Sequence, residues 1–401
     1  MKKILYIPSW YPTPENRMKG SFFREQAFLF NDFDIFVTTI VPLEVNIFKF
    51  SYNYLKKRFL YFDIQTPPKG YGIYYFQIEI PNIFKLFRPL ANRIERINFK
   101  IMCKYSFFSL KNKLDDLNWR PDLIHAQSTV DGGIFAYYLS RKFNIPYIIT
   151  EHQVFLLQNF SAFKIDLIHQ AISKATSFLA VSEHQKRQIL MNGISCFPKV
   201  VGNLVDDTLF NIDRQGNNIF TILVVTYPSY IKDNETLFKA VKILTTKNIT
   251  NFKVQIIGGD FNNLQLKDKE NPLYKEAEKA DIIDYVEILN YIDRAKMPEF
   301  YNKADVFVST SIAETFGVSQ CEAMMCGVPV IATANGGIDD MISESNGIKI
   351  PIQNHQSLAQ AIMQVKNREI QFDPQEVRNS VVYKFGKTAF KNNLTKIYTS
   401  I

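Results

Sequence analysis

The 401-residue chain is predicted to be an α/β protein of two similar units, each a parallel sheet with helices on both faces. Short runs of β-forming residues alternate with helical segments, and this alternation occurs in both halves of the chain. The length agrees, because domains run to roughly 100–200 residues. Hydrophobic residues make up 46% and charged residues 21%. Each half can therefore bury a full core, and disorder is not expected.

In the first half, Ile4–Ile7, Ile35–Thr39, Leu123–Ala126, Tyr147–Thr150 and Phe178–Val181 read as strands. Phe22–Phe30, Gly133–Phe143 and Glu183–Met191 read as the helices between them. The chain turns over near Gly202–Asp206, after which the pattern resumes. Ile219–Val225, Val254–Ile257, Val286–Leu289, Val306–Ser309 and Val328–Ala332 are the second set of strands. Glu235–Leu244, Met297–Lys303, Val318–Cys326 and Gln356–Lys366 are its helices. Two such units would leave a cleft between them, a preferred place for a ligand. Functional groups should gather at the carboxyl ends of the strands.

No apolar run approaches the roughly 20 residues that span a bilayer. Met1–Pro8 is basic, but its apolar stretch is too short for a signal peptide, so a cytoplasmic location is expected. The four cysteines, Cys103, Cys196, Cys321 and Cys326, form no CxxC pair, and Cys321 and Cys326, in one apolar helical run, read as buried thiols. The net charge of +8 is uneven: residues 1–205 hold 26 Lys+Arg against 15 Asp+Glu. A basic first half suits an anionic partner, namely a phosphorylated substrate, a membrane surface or a nucleic acid. No nucleic-acid recognition motif supports the last. Residues 45–113 are crowded with bases and aromatics, as in Lys56-Lys57-Arg58-Phe59, and their later part reads as a long basic amphipathic helix. Two readings stand for it: an anionic membrane contact, or a helix with one core face and one solvated basic face.

The richest stretch runs from Ala304 to Thr333. A strand ends near Ser309, a polar loop carries Glu314, and a helix runs from Gly317 to a stop at Gly327 and Pro329. Unpaired N–H groups at Gly317, Val318 and Ser319 suit a phosphate, whose charge the helix dipole favours. Glu322, more than one turn inside, suits the two hydroxyls of a ribose, and Glu314 suits a sugar beyond the phosphates. Lys232, before a helix and after the unit's first strand, supplies a point charge for a diphosphate. Gly258, at the end of a strand, lets backbone approach a base or ribose.

In this order, these pieces strongly resemble the nucleotide-binding domain of the retaining glycosyltransferase family 4. The family's E-x7-E signature maps onto Glu314 and Glu322 with Phe316-Gly317 between, and its lysine onto Lys232. Upstream, Gly20-Ser21-Phe22-Phe23-Arg24, Pro121–His125, Thr150-Glu151-His152 and Gly202–Asp206 fall in family-like order, so the resemblance covers nearly the whole chain. It implies the GT-B fold: two Rossmann-like domains facing each other across a cleft, an acceptor domain over 1–203 and a nucleotide-sugar domain over 204–384. It also implies that a last helix over 385–401 crosses back onto the first domain.

Two positions depart from the family pattern. Tyr227 stands where an arginine is usual, five residues before Lys232, and Gln127 where a histidine is usual, two residues after His125. His125, Gln127 and His152 are the candidates to contact the transferred sugar, with His125 and His152 expected at strand ends facing the cleft. Gly20 would let a loop approach the diphosphate, and Arg24 would meet an anionic group.

Glycosyl transfer leaves negative charge on the departing diphosphate, which fixed cations, N–H dipoles or a metal must stabilise. No acidic cluster of metal-binding type is evident, so no metal or other cofactor is expected. The expected catalytic residues are Glu314, Lys232 and His125. The expected partners are a nucleotide-diphosphate sugar and a glycan or lipid-linked acceptor, in cell-surface polysaccharide synthesis at the inner membrane face. A nucleotide-sugar 2-epimerase of the same architecture and a non-catalytic nucleotide-binding relative remain open.

Overall fold

The computed structural model describes residues 1–12, 20–44, 74–82, 91–214, 216, 218–258 and 270–401. The chain separates into two compact units. The first comprises Met1–Val181, Lys186–Val201 and Lys391–Ile401; the second comprises Ser182–Gln185 and Gly202–Phe390.

The first unit contains β1 (Lys3–Pro8), α1 (Ser21–Leu29), β2 (Asp34–Glu44), β3 (Tyr74–Asn82), α2 (Ala91–Asp116) and β4 (Leu123–Gln127). These are followed by α3 (Ile134–Phe143), β5 (Tyr147–Glu151), α4 (Ala162–Ser173), β6 (Ser177–Ala180), α5 (Glu183–Met191) and β7 (Lys199–Val200). Its seven strands form one sheet in the order β3-β2-β1-β4-β5-β6-β7, and every neighbouring pair is parallel. Such a sheet is covered on both faces, which explains why β1, β4 and β5 are buried at nearly every position rather than at alternate ones. Leu5, Ile124 and Ile149 pack with Ala136, Leu139 and Ile168 in one apolar core.

β3 lies inside the stretch read from sequence only as aromatic and basic. Phe76, Ile78 and Ile80 alternate there with Gln77 and Glu79, the period-2 sequence pattern of a strand. The long helix expected to reach Lys113 is α2, which runs to Asp116. Residues 45–73 and 83–90, which carry Lys56-Lys57-Arg58 and Phe84–Arg88, lie outside the described residues.

The second unit contains β8 (Phe220–Val225), α6 (Asn234–Thr246), β9 (Phe252–Ile257), α7 (Pro272–Lys279), β10 (Val286–Leu289), α8 (Met297–Asn302) and β11 (Val306–Ser309). Then come α9 (Val318–Met325), β12 (Val330–Thr333), β13 (Gly347–Ile350), α10 (His355–Lys366) and α11 (Pro374–Phe385); the last helix, α12 (Lys387–Ser400), belongs from Lys391 onward to the first unit. Its sheet is parallel with the order β10-β9-β8-β11-β12-β13. The order reverses at β8, so the loops after β8 and β11 share one edge, the switch point where α/β sheets bind ligands. The architecture is α/β throughout. Among the described residues no helix is long and apolar enough to cross a membrane.

In the first unit, the end of α12 is tied to the sheet by a buried polar chain. The Nδ1 of His125 lies 2.6 Å from the Tyr398 hydroxyl, and its Nε2 lies 2.8 Å from Thr150 Oγ1. Burial, with the nearby His152, pushes the His125 imidazole down to about 3. The folded chain thus refuses a proton that the unfolded chain accepts near pH 6.5. This contribution to stability is complete above about pH 6.5 and is lost as pH falls toward 3, at up to about 1.4 kcal/mol per pH unit. Urea unfolding of wild type and His125→Gln at several pH values between 7 and 4 checks this. The wild type should lose stability more steeply on acidification; parallel curves would contradict the assignment.

Candidate functional site

Three loops at the switch-point edge of the second sheet converge. After β8, the chain makes a short helical turn over Tyr230–Lys232, and Asp233 then caps α6 by accepting from the Thr236 N–H. After β11, the loop carrying Glu314 makes an isolated parallel bridge to Gly336, which follows β12. That approach requires small residues: a Cβ on Gly337 would lie 2.4 Å from the Glu314 carbonyl oxygen. The result is an ion pair between Lys232 Nζ and Glu314 Oε1 at 2.6 Å, with both side chains about one-fifth exposed. Thr310 Oγ1 donates to the Lys232 carbonyl at 3.0 Å, tying the two loops together a second time. The Lys232 ammonium also lies 5.5 Å from the Tyr227 ring centroid. Where the family pattern has a second cation, this chain places a ring that attracts the one it has.

Gly317 begins α9 with φ +87° and no side-chain cap. The first N–H groups of α9 thus have no internal partner, and they carry the positive end of the helix dipole. Phe316 beside it is buried edge-on against Phe385, with centroids 4.9 Å apart. Gln320 Nε2 donates to Ser309 Oγ at 2.9 Å, which holds the helix start against the end of β11. Gly258 ends β9 at φ +148°, and a Cβ there would fall 1.5 Å from the Thr226 carbonyl oxygen. Only glycine lets the two loops lie flush.

Glu322 sits on the buried side of α9, 6% exposed. Arg294 donates to its Oε1 from Nε at 3.0 Å, with Nη2 2.7 Å from the same oxygen. The Tyr301 hydroxyl donates to Oε2 at 2.9 Å. Burial first, then this carboxylate, raises Tyr301 well above the ordinary phenol value, so the hydroxyl remains a donor. Charge-assisted bonds of this kind fix a carboxylate firmly, and each oxygen keeps further acceptor capacity. Arg294 and Tyr301 were not among the sequence candidates. The signal available was Tyr301 in an apolar helix just before β11 and a lone arginine after β10, neither tied to Glu322 by any local spacing.

In the first unit, Gly20 precedes α1 at φ +74°, where a Cβ would come 2.7 Å from the Trp10 carbonyl oxygen. Arg24 on α1 lies over the Phe28 ring at 5.3 Å. His125, expected at a strand end, instead lies mid-strand in β4 and is 0% exposed. Gln127 is also 0% exposed and His152 is 8% exposed. The three are links of one chain. The His152 ring donates from Nε2 to Gln127 Oε1 at 2.6 Å, and the Gln127 amide donates to His125 Nε2 at 3.1 Å. Glu151 fixes the strand end, accepting from the backbone N–H groups of His152, Gln153 and Thr129 at 2.8–2.9 Å. His152 is the one of the three with exposed surface, and Phe22 and Phe23 flank its ring.

Among the described residues, no group of His, Cys, Asp and Glu is arranged to hold a metal ion. The second-unit site instead offers one ammonium, one helix start and two carboxylates, the larger of whose networks is fixed by Arg294.

Residues 208–383 fit the model of glycosyl transferases group 1, and residues 74–209 that of Glycosyltransferase Family 4. A Bacillus subtilis glycosyltransferase named for teichuronic acid biosynthesis, TuaC, is 23% identical over 92% of this chain and 90% of its own length. The alpha-monoglucosyldiacylglycerol synthase of Streptococcus pneumoniae is 24% identical over 56% of this chain. The chain spans 55% of that synthase's length, and 66% of the length of a Methanocaldococcus jannaschii glycosyltransferase to which it is 24% identical. Among solved structures, sucrose-phosphate synthase from Thermosynechococcus elongatus superposes with a TM-score of 0.73 at 18% identity, covering 100% of this chain and 99% of that one. Anabaena HepE, in complex with UDP and glucose, gives 0.72 at 16% identity with 100% of both chains covered. With the two family matches running unbroken from residue 74 to 383, the chain belongs to the group 1 and family 4 glycosyltransferases and has their GT-B fold.

Proposed function

We propose that this glycosyltransferase moves a sugar from a nucleotide-diphosphate sugar to a glycan or lipid-linked acceptor in cell-surface polysaccharide synthesis, retaining anomeric configuration and needing no metal. The observation that carries the donor half of this reading is the Lys232–Glu314 pair beside the uncapped start of α9. An arriving diphosphate competes with Glu314 for the Lys232 ammonium and takes up the N–H groups at Val318 and Ser319. Negative charge developing on the leaving group is then met by charges already in place, the arrangement that removes the need for a metal. Glu314, released from Lys232, is left to accept from the donor sugar's hydroxyls. Glu322, held from behind by Arg294 and Tyr301, accepts from the ribose. Retention follows the family resemblance. The UDP and glucose bound by HepE support a nucleotide-sugar donor, and the name of TuaC supports a polysaccharide product.

The membrane half of the reading rests on α2. Ile97, Ile101, Tyr105 and Phe108 are exposed at spacings of four, four and three residues, one apolar stripe of a helix. Arg96, Lys100 and Lys104 are exposed on the adjoining strip, and no acidic residue occurs between Arg96 and Leu114. Apolar and basic strips side by side suit the interface of an anionic bilayer, here the inner face of the cell membrane.

Two experiments test these halves. In a panel of nucleotide sugars, Glu322→Ala should weaken nucleotide binding about tenfold or more. Glu314→Ala and Lys232→Ala should lower turnover by about 10²-fold or more while nucleotide binding changes less in Glu314→Ala. Wild-type kinetics in all three would overturn the site. For the membrane, sedimentation with phosphatidylglycerol vesicles at low salt should capture the wild type, and Lys100→Glu with Lys104→Glu should weaken capture by about tenfold or more. No capture of the wild type, or equal capture of the variant, would contradict the membrane role.

A further inference from the structure

Within the first unit, the inner side of α2 walls a cavity of about 240 Å³. Phe99, Met102, Ile134, Phe135 and Phe163 give it an apolar lining. It lies at the carboxyl-end edge of the sheet: Asp131 and Ile134 follow β4, Phe163 and Lys164 follow β5, and Ile40 lies on β2 beyond the last residue paired with β1. That edge is where α/β sheets take their ligands.

Two polar features distinguish the cavity from a packing defect. Ser106, in its wall, is 0% exposed, and among the described residues its hydroxyl has no hydrogen-bond partner. A buried hydroxyl left so is destabilising, and a ligand oxygen would satisfy it. At the rim, Lys164 pairs with Asp131 at 2.8 Å, and Ser161 donates to Glu95 at 2.7 Å. Asp131 is held there in a left-handed conformation, φ +69°. Ser9 secures that turn: its hydroxyl donates to the Val130 carbonyl at 2.6 Å and accepts from the Gly132 N–H at 3.0 Å. Cys103 also lines the cavity, but burial pushes its thiol up to about 12, so it is a wall rather than a nucleophile.

We infer that this cavity binds the apolar segment of a single-chain amphiphile, an alkyl or prenyl chain bearing an oxygen within reach of Ser106 and a polar head at the Asp131–Lys164 rim. An apolar cavity of about 150 Å³ takes up benzene, so this one admits a segment of about ten carbons. The inference deepens the proposed function and rests on it in one respect: it makes the acceptor lipid-linked rather than a free glycan.

The test is fluorescence of cis-parinaric acid, a polyene fatty acid that brightens in apolar surroundings, with displacement by 1-decanol. Wild type should bind the probe saturably at one site per chain. Ser106→Leu, which fills the cavity, should weaken binding of both probes tenfold or more. Ser106→Ala, which keeps the volume, should weaken displacement by 1-decanol about fivefold. If Ser106→Leu does not fold, Ser106→Ala decides. Absence of saturable binding to wild type, unchanged probe binding in a folded Ser106→Leu, or unchanged displacement by 1-decanol in Ser106→Ala overturns the inference. Thermal stabilisation by a panel of nucleoside diphosphates is measured on the same samples. It should persist in every variant; its loss in the wild type would strike the transferase reading and leave the cavity result standing.

Discussion

The parallel pairing of β8 with β11 is the constraint on which the donor site depends. Parallel neighbours present their carboxyl ends on one edge, so Lys232 and Glu314, 82 residues apart, come within 2.6 Å. Partly buried, this pair is less screened than a surface ion pair, and its ammonium has few alternative partners. It holds two loops in position, and in the proposed reaction it opens to the diphosphate. The backbone bridge from Glu314 to Gly336 and the Thr310 hydroxyl bond to the Lys232 carbonyl hold the two loops together independently of the ion pair.

Glu322 shows the complementary arrangement. A buried carboxylate is costly unless charged partners and hydrogen bonds surround it. Arg294 and Tyr301 supply them from loops and helices on the other side, leaving the carboxylate oriented with spare acceptor capacity. Tyr227 fits the same logic. It does not replace the charge of the arginine usual at that position, but its ring centroid lies 5.5 Å from the Lys232 ammonium, close enough to attract it.

What could be read from the sequence followed the range of each interaction. Strands such as Val286–Leu289 and Val306–Ser309 were legible residue for residue, because a buried parallel strand is a short apolar run between breakers. Glu314, Gly317 and Glu322 were legible because their spacing is local. β3 was missed because nearby aromatics and bases masked its alternation. α11 was missed despite Asp373-Pro374-Gln375-Glu376, a cap that the structure shows in use, with Asp373 accepting from the N–H groups of Gln375 and Glu376. Arg294 was illegible for a different reason: it reaches Glu322 from 28 residues away through a fold that no local pattern encodes. The same holds for His125. As a histidine at the end of a strand it read as a lining group, and only the packing of Tyr398 and Thr150 around it shows a sealed, neutral imidazole.

The central claim is that Glu322 reads the ribose of a nucleotide whose diphosphate Lys232 and α9 hold. The direct measurement is a binding cycle: a nucleoside diphosphate and its 2′,3′-dideoxy analogue, each titrated against wild type and Glu322→Ala. The wild type should discriminate against the dideoxy form about tenfold or more, and Glu322→Ala should bind both forms equally. Full discrimination retained in Glu322→Ala would contradict it.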